Sequence, residues 1–132
     1  MSEPAPPPAS DTLVPPPDFT RILLAYSSTV IMGGVVIADL VDMATGKPTD
    51  NYRLIADAGT TMLTGLTAYA NLTVDVKKPE NLNTVLLPNI LSNFALLTNL
   101  AFNDAGTRYR RYTRGTAIPF NILGGVITVY DL

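Results

Sequence analysis

The 132-residue chain has no cysteine and no histidine, and Asp, Glu, Lys and Arg together make up only 15% of it. Without cysteine there is no disulfide framework and no thiol chemistry, and the redox compartment stays open. Without histidine, the commonest proton shuttle at neutral pH and most transition-metal sites are excluded. The charged fraction is far below the ~25% usual for soluble domains, and the mean hydropathy is +0.24. A net charge of −2 gives no long-range steering toward nucleic acid or an anionic surface. The residues that are present, apolar with much Thr, Asn, Gly and Ala, suit a chain built to be packed against something.

Seven of the eleven prolines (Pro4, Pro6, Pro7, Pro8, Pro15, Pro16 and Pro17) fall within the first eighteen residues. Such a run favours extended polyproline II. Residues 1–18 therefore read as a Pro-rich extended arm, with Leu13 and Val14 as apolar anchors for a neighbouring subunit, and residues 19–132 as a single compact assembly domain. The N-terminus is acidic and proline-rich, so the basic-then-apolar order of a secretory signal is not expected there.

Four apolar segments follow. The first, about Phe19 to Met43, reads two ways. Asp18 as a helix cap and Ala44-Thr45-Gly46-Lys47-Pro48 as a helix stop make it one helix, whereas Tyr26 to Val30 and Val35-Val36-Ile37 around Gly33-Gly34 make it two strands. In the second, Tyr52 to Val76, apolar and polar residues alternate from Met62 onward, the period of a half-buried strand; a helical face through Leu54, Ala58, Met62, Leu66, Tyr69 and Thr73 is the competing reading. In the third, Leu82, Leu86, Ile90, Phe94, Leu97 and Ala101 recur at helical spacing, with Pro88 placing the firm helix at about 89–103. In the fourth, Ala117 to Leu132, alternation after Gly124-Gly125 predicts a strand. The expected fold class is α+β, a β-rich single domain with one main helix; the alternative is an all-α bundle of apolar helices.

One local constellation resembles a site. Arg108, Tyr109, Arg110, Arg111, Tyr112 and Arg114 put four of nine basic residues within seven positions and interleave two aromatics. That combination suits phosphates and bases. In a net acidic chain it reads more readily as an interface strip, arginines meeting the acidic groups of a neighbouring copy. Asp39 and Asp42, one helical turn apart, have no accompanying nucleophile or phosphate loop and read as a polar edge. No catalytic residue, cofactor site or metal site is expected, and the chain is read as non-enzymatic.

The composition resembles that of minor virion proteins of tailed or membrane-containing bacterial viruses, such as capsid cement, decoration or tail components. The resemblance implies a structural subunit assembling with itself or with other structural proteins, in a virion or a cytoplasmic assembly. A small membrane-embedded protein, multi-pass or in a virion membrane, is the alternative. A nucleic-acid-binding accessory acting through Arg108 to Arg114 stands third.

Overall fold

The first helix starts where Asp18 accepts the backbone N–H of Arg21 at 2.8 Å, satisfying one of the free donors of a helical first turn. Helix α1 then runs Phe19–Ala44. It stops where the Thr45 hydroxyl donates back to the Val41 carbonyl at 2.9 Å and Gly46 takes φ +79°, a conformation that favours glycine. The helical reading of the first segment, cap and stop included, is the one realised.

The computed structural model describes residues 18–47, 51–103 and 108–130, apart from the side chains of 108 and 109. The arm, with Leu13 and Val14, lies outside the described residues. Helix α2 (Asn51–Thr73), a short 3-10 turn (Pro79–Asn81), helix α3 (Leu82–Phe102) and helix α4 (Arg108–Val129) complete the order, and the described residues contain no strand.

The β-rich α+β expectation is therefore overturned, and the all-α alternative is what the chain forms. The strand expected from Met62 to Val76 lies largely within α2, and the strand expected from Ala117 lies within α4. Threonine and valine favour strands only weakly, and surroundings override that preference. Here the hydroxyls donate to carbonyls one turn back along their own helix, as with Thr60 to Ala56 at 2.7 Å and Thr128 to Gly124 at 2.8 Å. That geometry lets a helix carry threonine without leaving a free hydroxyl. The expected helix at 89–103 begins earlier, at Leu82, and continues through Pro88. The Pro88 carbonyl accepts the Thr67 hydroxyl of α2 at 2.9 Å.

Helix α1 packs against α2 and α4, and α3 packs against the same two. The bundle is up-down-up-down around a closed ring. One end carries Arg21 and the 74–81 connection; the other carries Asp39, residues 45–47 and the start of α4.

What lies inside is the reverse of a water-soluble bundle. The buried hydrophobics among the described residues are Ala25, Met32, Val35, Ala68, Val85, Leu96 and Ala117, and twice as many polar or charged residues are buried, including Asp39, Asp57, Thr64, Asn89, Asn99, Arg114 and Asn121. Met32, Leu96 and Ala117 form one apolar layer across the middle. The large hydrophobics face outward: Val30 is 69% exposed, Met62 69%, Phe94 68% and Phe102 80%. The apolar stripe that marks α3 in the sequence points out through Ile90, Phe94 and Leu97, while Val85, Asn89, Ser92, Leu96 and Asn99 point in.

Candidate functional site

The interior is built from one stripe per helix, each repeating at three- and four-residue steps so that its members share a face. On α1 the stripe is Ala25, Ser28, Met32, Val35 and Asp39; on α2 it is Asp57, Thr60, Thr64, Thr67 and Asn71; on α4 it includes Arg110, Arg114, Ala117, Asn121 and Thr128.

Near the Asp39 end these stripes meet in a charged layer, with carboxylates from α1 and α2, guanidinium groups from α4 and a neutral amide from α3. Arg114 clamps Asp57 with two parallel bonds, Nε to Oδ1 at 2.9 Å and Nη2 to Oδ2 at 2.8 Å. Both side chains are essentially inaccessible, at 2% and 0%. Asn99 of α3 donates to Asp57 Oδ1 at 2.8 Å, Asn103 donates to the same oxygen at 3.4 Å, and Arg114 Nη1 donates to the Asn103 carbonyl at 3.3 Å. Beside this group, Arg110 bridges two carboxylates of α1, Nη1 to Asp39 Oδ1 at 2.9 Å and Nη2 to Asp42 Oδ2 at 2.6 Å. Lys47, largely exposed, approaches Asp42 at 3.8 Å. The fork geometry of arginine holds two oxygens at once, which lysine cannot do.

Beyond the apolar layer a neutral network takes over. Ser28 donates to Asn121 Oδ1 at 3.2 Å, and Asn121 donates to Ser92 Oγ at 2.9 Å and to Asn93 Oδ1 at 2.8 Å. One turn further, Asn89 donates to Asn71 Oδ1 and to the Val85 carbonyl, both at 2.8 Å. Arg21 reaches the Asn71 carbonyl at 3.4 Å. Gly125 is required by this packing, because a Cβ there would run into the Asn89 side-chain amide.

The structure divides the basic strip. Arg110 and Arg114 turn into the bundle, and the acidic partners seen for them, Asp39, Asp42 and Asp57, belong to the same chain. Arg111 and Tyr112 face outward, and the side chains of Arg108 and Tyr109 lie outside the described residues. Asp39 is fully buried, so it is not the polar edge that its spacing suggests. Sequence reading missed Asp57, Asn99, Asn103, Asn89 and Asn121 altogether. Their signal was the recurrence of polar residues at helical spacing inside apolar segments, which a search for apolar stripes passes over.

The arrangement locks four helices together through buried polar bonds and leaves the outer surface apolar. No protein-family model, curated protein or solved structure matches the chain.

Proposed function

We propose that this protein is a membrane-embedded four-helix subunit, structural rather than enzymatic, whose apolar exterior meets lipid and whose polar interior holds its helices in register. The inverted distribution of polarity carries this reading. In water, leaving the outward-facing Leu, Ile, Val, Met, Phe and Tyr side chains exposed would forgo on the order of 30 kcal/mol of hydrophobic stabilisation. That is more than the ~5–15 kcal/mol by which whole domains are stable. In hydrocarbon the same surface costs nothing, while buried hydroxyls, amides and ion pairs turn inward, where they find partners.

The dimensions agree. The helices α1 and the 79–102 stretch are long and apolar enough to cross a membrane, with mean hydropathies of 1.7 and 1.5, and only 28% of each apolar stretch is buried in the bundle. A buried core helix of a soluble protein would be mostly covered. Helices α2 and α4 carry more polar residues, but their interior stripes account for Asp57, Thr64, Thr67, Asn71, Arg114 and Asn121. Exposed aromatics mark both ends: Tyr52, Phe102 and Tyr112 at one, Phe19, Tyr69 and Tyr130 at the other. Tyr112 and Tyr130 lie eighteen residues apart along α4, or about 27 Å at 1.5 Å per residue, close to the ~30 Å of a bilayer core. Tyrosines at that separation suit the two interfaces.

Basic residues are biased toward the Asp39 end, where Lys47, Arg53, Arg108, Arg110, Arg111 and Arg114 stand against Arg21, Lys77 and Lys78 at the other. By the positive-inside rule the Asp39 end faces the cytoplasm or its equivalent. The resemblance in composition to virion proteins supports a position in the membrane of an assembly, with copies of itself or other structural proteins as the proposed partners.

The natural absence of cysteine makes the topology directly testable. Lys47→Cys and Lys77→Cys, introduced singly, are expected to react with a membrane-impermeant maleimide from opposite sides of sealed vesicles, Lys47→Cys from the cytoplasmic face. Equal labelling of both from one side would refute the proposal.

A further inference from the structure

Between α2 and α3 the outer surface is indented. A groove of about 360 Å³ runs inward from the Asp39 end, entered between Tyr52 and Phe102 and ending at Leu63 and Phe94. Small residues from both helices, Gly59 and Ala95 among them, make the room. A Cβ added at Gly59 would meet nothing within 4 Å.

The length of the groove decides what fits it. Tyr52 and Leu63 are eleven residues apart on α2, about 16 Å at 1.5 Å per residue, which is about half of the ~30 Å hydrocarbon core of a bilayer. The inner end lies at the middle of the bundle, because Phe94 is two residues from Leu96 of the apolar layer. Beyond it the outward residues are large, Leu66 and Tyr69 on α2 and Leu87 and Ile90 on α3. The groove is therefore one leaflet deep. A membrane-spanning helix of a second copy would lie along the bundle through both leaflets, whereas an acyl chain occupies one.

Resting on the membrane-embedded reading, we propose that this groove holds an acyl chain of an anionic phospholipid from the leaflet at the Asp39 end. The charge at the mouth selects the headgroup. Arg53, partly exposed, follows Tyr52, and its carbonyl accepts the side-chain amide of Asn103 in the groove wall at 3.3 Å. Lys47 and Arg111 are exposed at the same end. By the positive-inside bias that end faces the cytoplasmic leaflet, whose surface is anionic. Tyr52 at the rim has an aromatic body for the chain and a hydroxyl for the interface.

The chain has no tryptophan, so Phe94→Trp reports on the groove and Ile122→Trp, on the outer face of α4, reports on the surrounding lipid. The full chain carrying either substitution is reconstituted into phosphatidylcholine vesicles with brominated phosphatidylglycerol or brominated phosphatidylcholine of identical acyl chains, and fluorescence quenching is measured. Phosphatidylglycerol is expected to be preferred about fivefold at Phe94→Trp, the effect of one cation beside an anionic headgroup, and not at all at Ile122→Trp. Adding Gly59→Leu, which fills the groove without a clash and with a better helix former, is expected to leave helicity unchanged and to abolish the preference. Equal quenching of Phe94→Trp by the two lipids, or a preference that survives Gly59→Leu, would overturn the proposal and leave the membrane-embedded reading standing. Protection of Phe94→Trp from both lipids, with Ile122→Trp still quenched, would overturn it in favour of a second copy in the groove. If neither tryptophan is quenched by either lipid, the membrane-embedded reading fails and the lipid site with it.

Discussion

Asp57→Ala is expected to destabilise the bundle by about 3–5 kcal/mol, because it leaves the Arg114 guanidinium buried without its carboxylate. Both partners are inaccessible, and Asn99 and Asn103 lose the same acceptor. Replacing the pair together, as Asp57→Leu with Arg114→Met, should cost clearly less than Asp57→Ala alone, since no uncompensated charge remains. Thermal or denaturant unfolding in detergent micelles measures both. Equal losses in the single and double variants would show that the pair is not the energetic centre of this layer.

The second large effect concerns the outer surface. Met62 and Leu97 are 69% and 53% exposed and lie near mid-height, close to the Met32, Leu96 and Ala117 layer. If lipid surrounds them, Met62→Arg or Leu97→Arg should each cost about 2.5–3.5 kcal/mol of insertion free energy and sharply reduce the amount of protein recovered in membranes. On a water-exposed helix the same changes would fall within about 0.5 kcal/mol of neutral and would improve solubility. The two surroundings thus predict opposite outcomes for one substitution, measured as recovery in the membrane fraction relative to wild type.

The parts of the fold that depend on local chemistry are visible in the sequence. Asp18 and Gly46 bracket α1 because a side-chain cap and a left-handed residue are local requirements, and the helical repeat of α3 survives Pro88. The parts that depend on the solvent are not. Alternation in 62–76 and around Gly124-Gly125 suggests strands only if apolar residues are assumed to seek an interior and polar residues the surface. Once Thr60, Thr64, Thr67 and Asn71 are turned inward and Met62, Leu66 and Tyr69 outward, the same residues describe a helix with its polarity reversed. The choice between the two periods rests on which medium surrounds the protein, and a window of fifteen residues does not contain that information.

The charged layer was hidden for a different reason. The arginines stand out because four fall within seven positions, but their partners are scattered: Asp57 lies 57 residues before Arg114, and Asp39 lies 71 before Arg110. Only the antiparallel ring of helices brings them together. The interface role expected for the strip was argued from an acidic neighbour, and the acidic groups that meet Arg110 and Arg114 turn out to be on α1 and α2 of the same chain. Arg111 and Tyr112 remain on the outer face at the Asp39 end, positions suited to a membrane interface.

The most direct test is the behaviour of the full chain when membranes from expressing cells are washed with alkaline carbonate and then treated with detergent. A bundle with lipid around its apolar exterior stays in the pellet through the carbonate wash and is released only by detergent. Recovery in the carbonate supernatant, or as a soluble species before any detergent is added, would contradict the membrane-embedded reading and return the apolar surface to contacts between proteins.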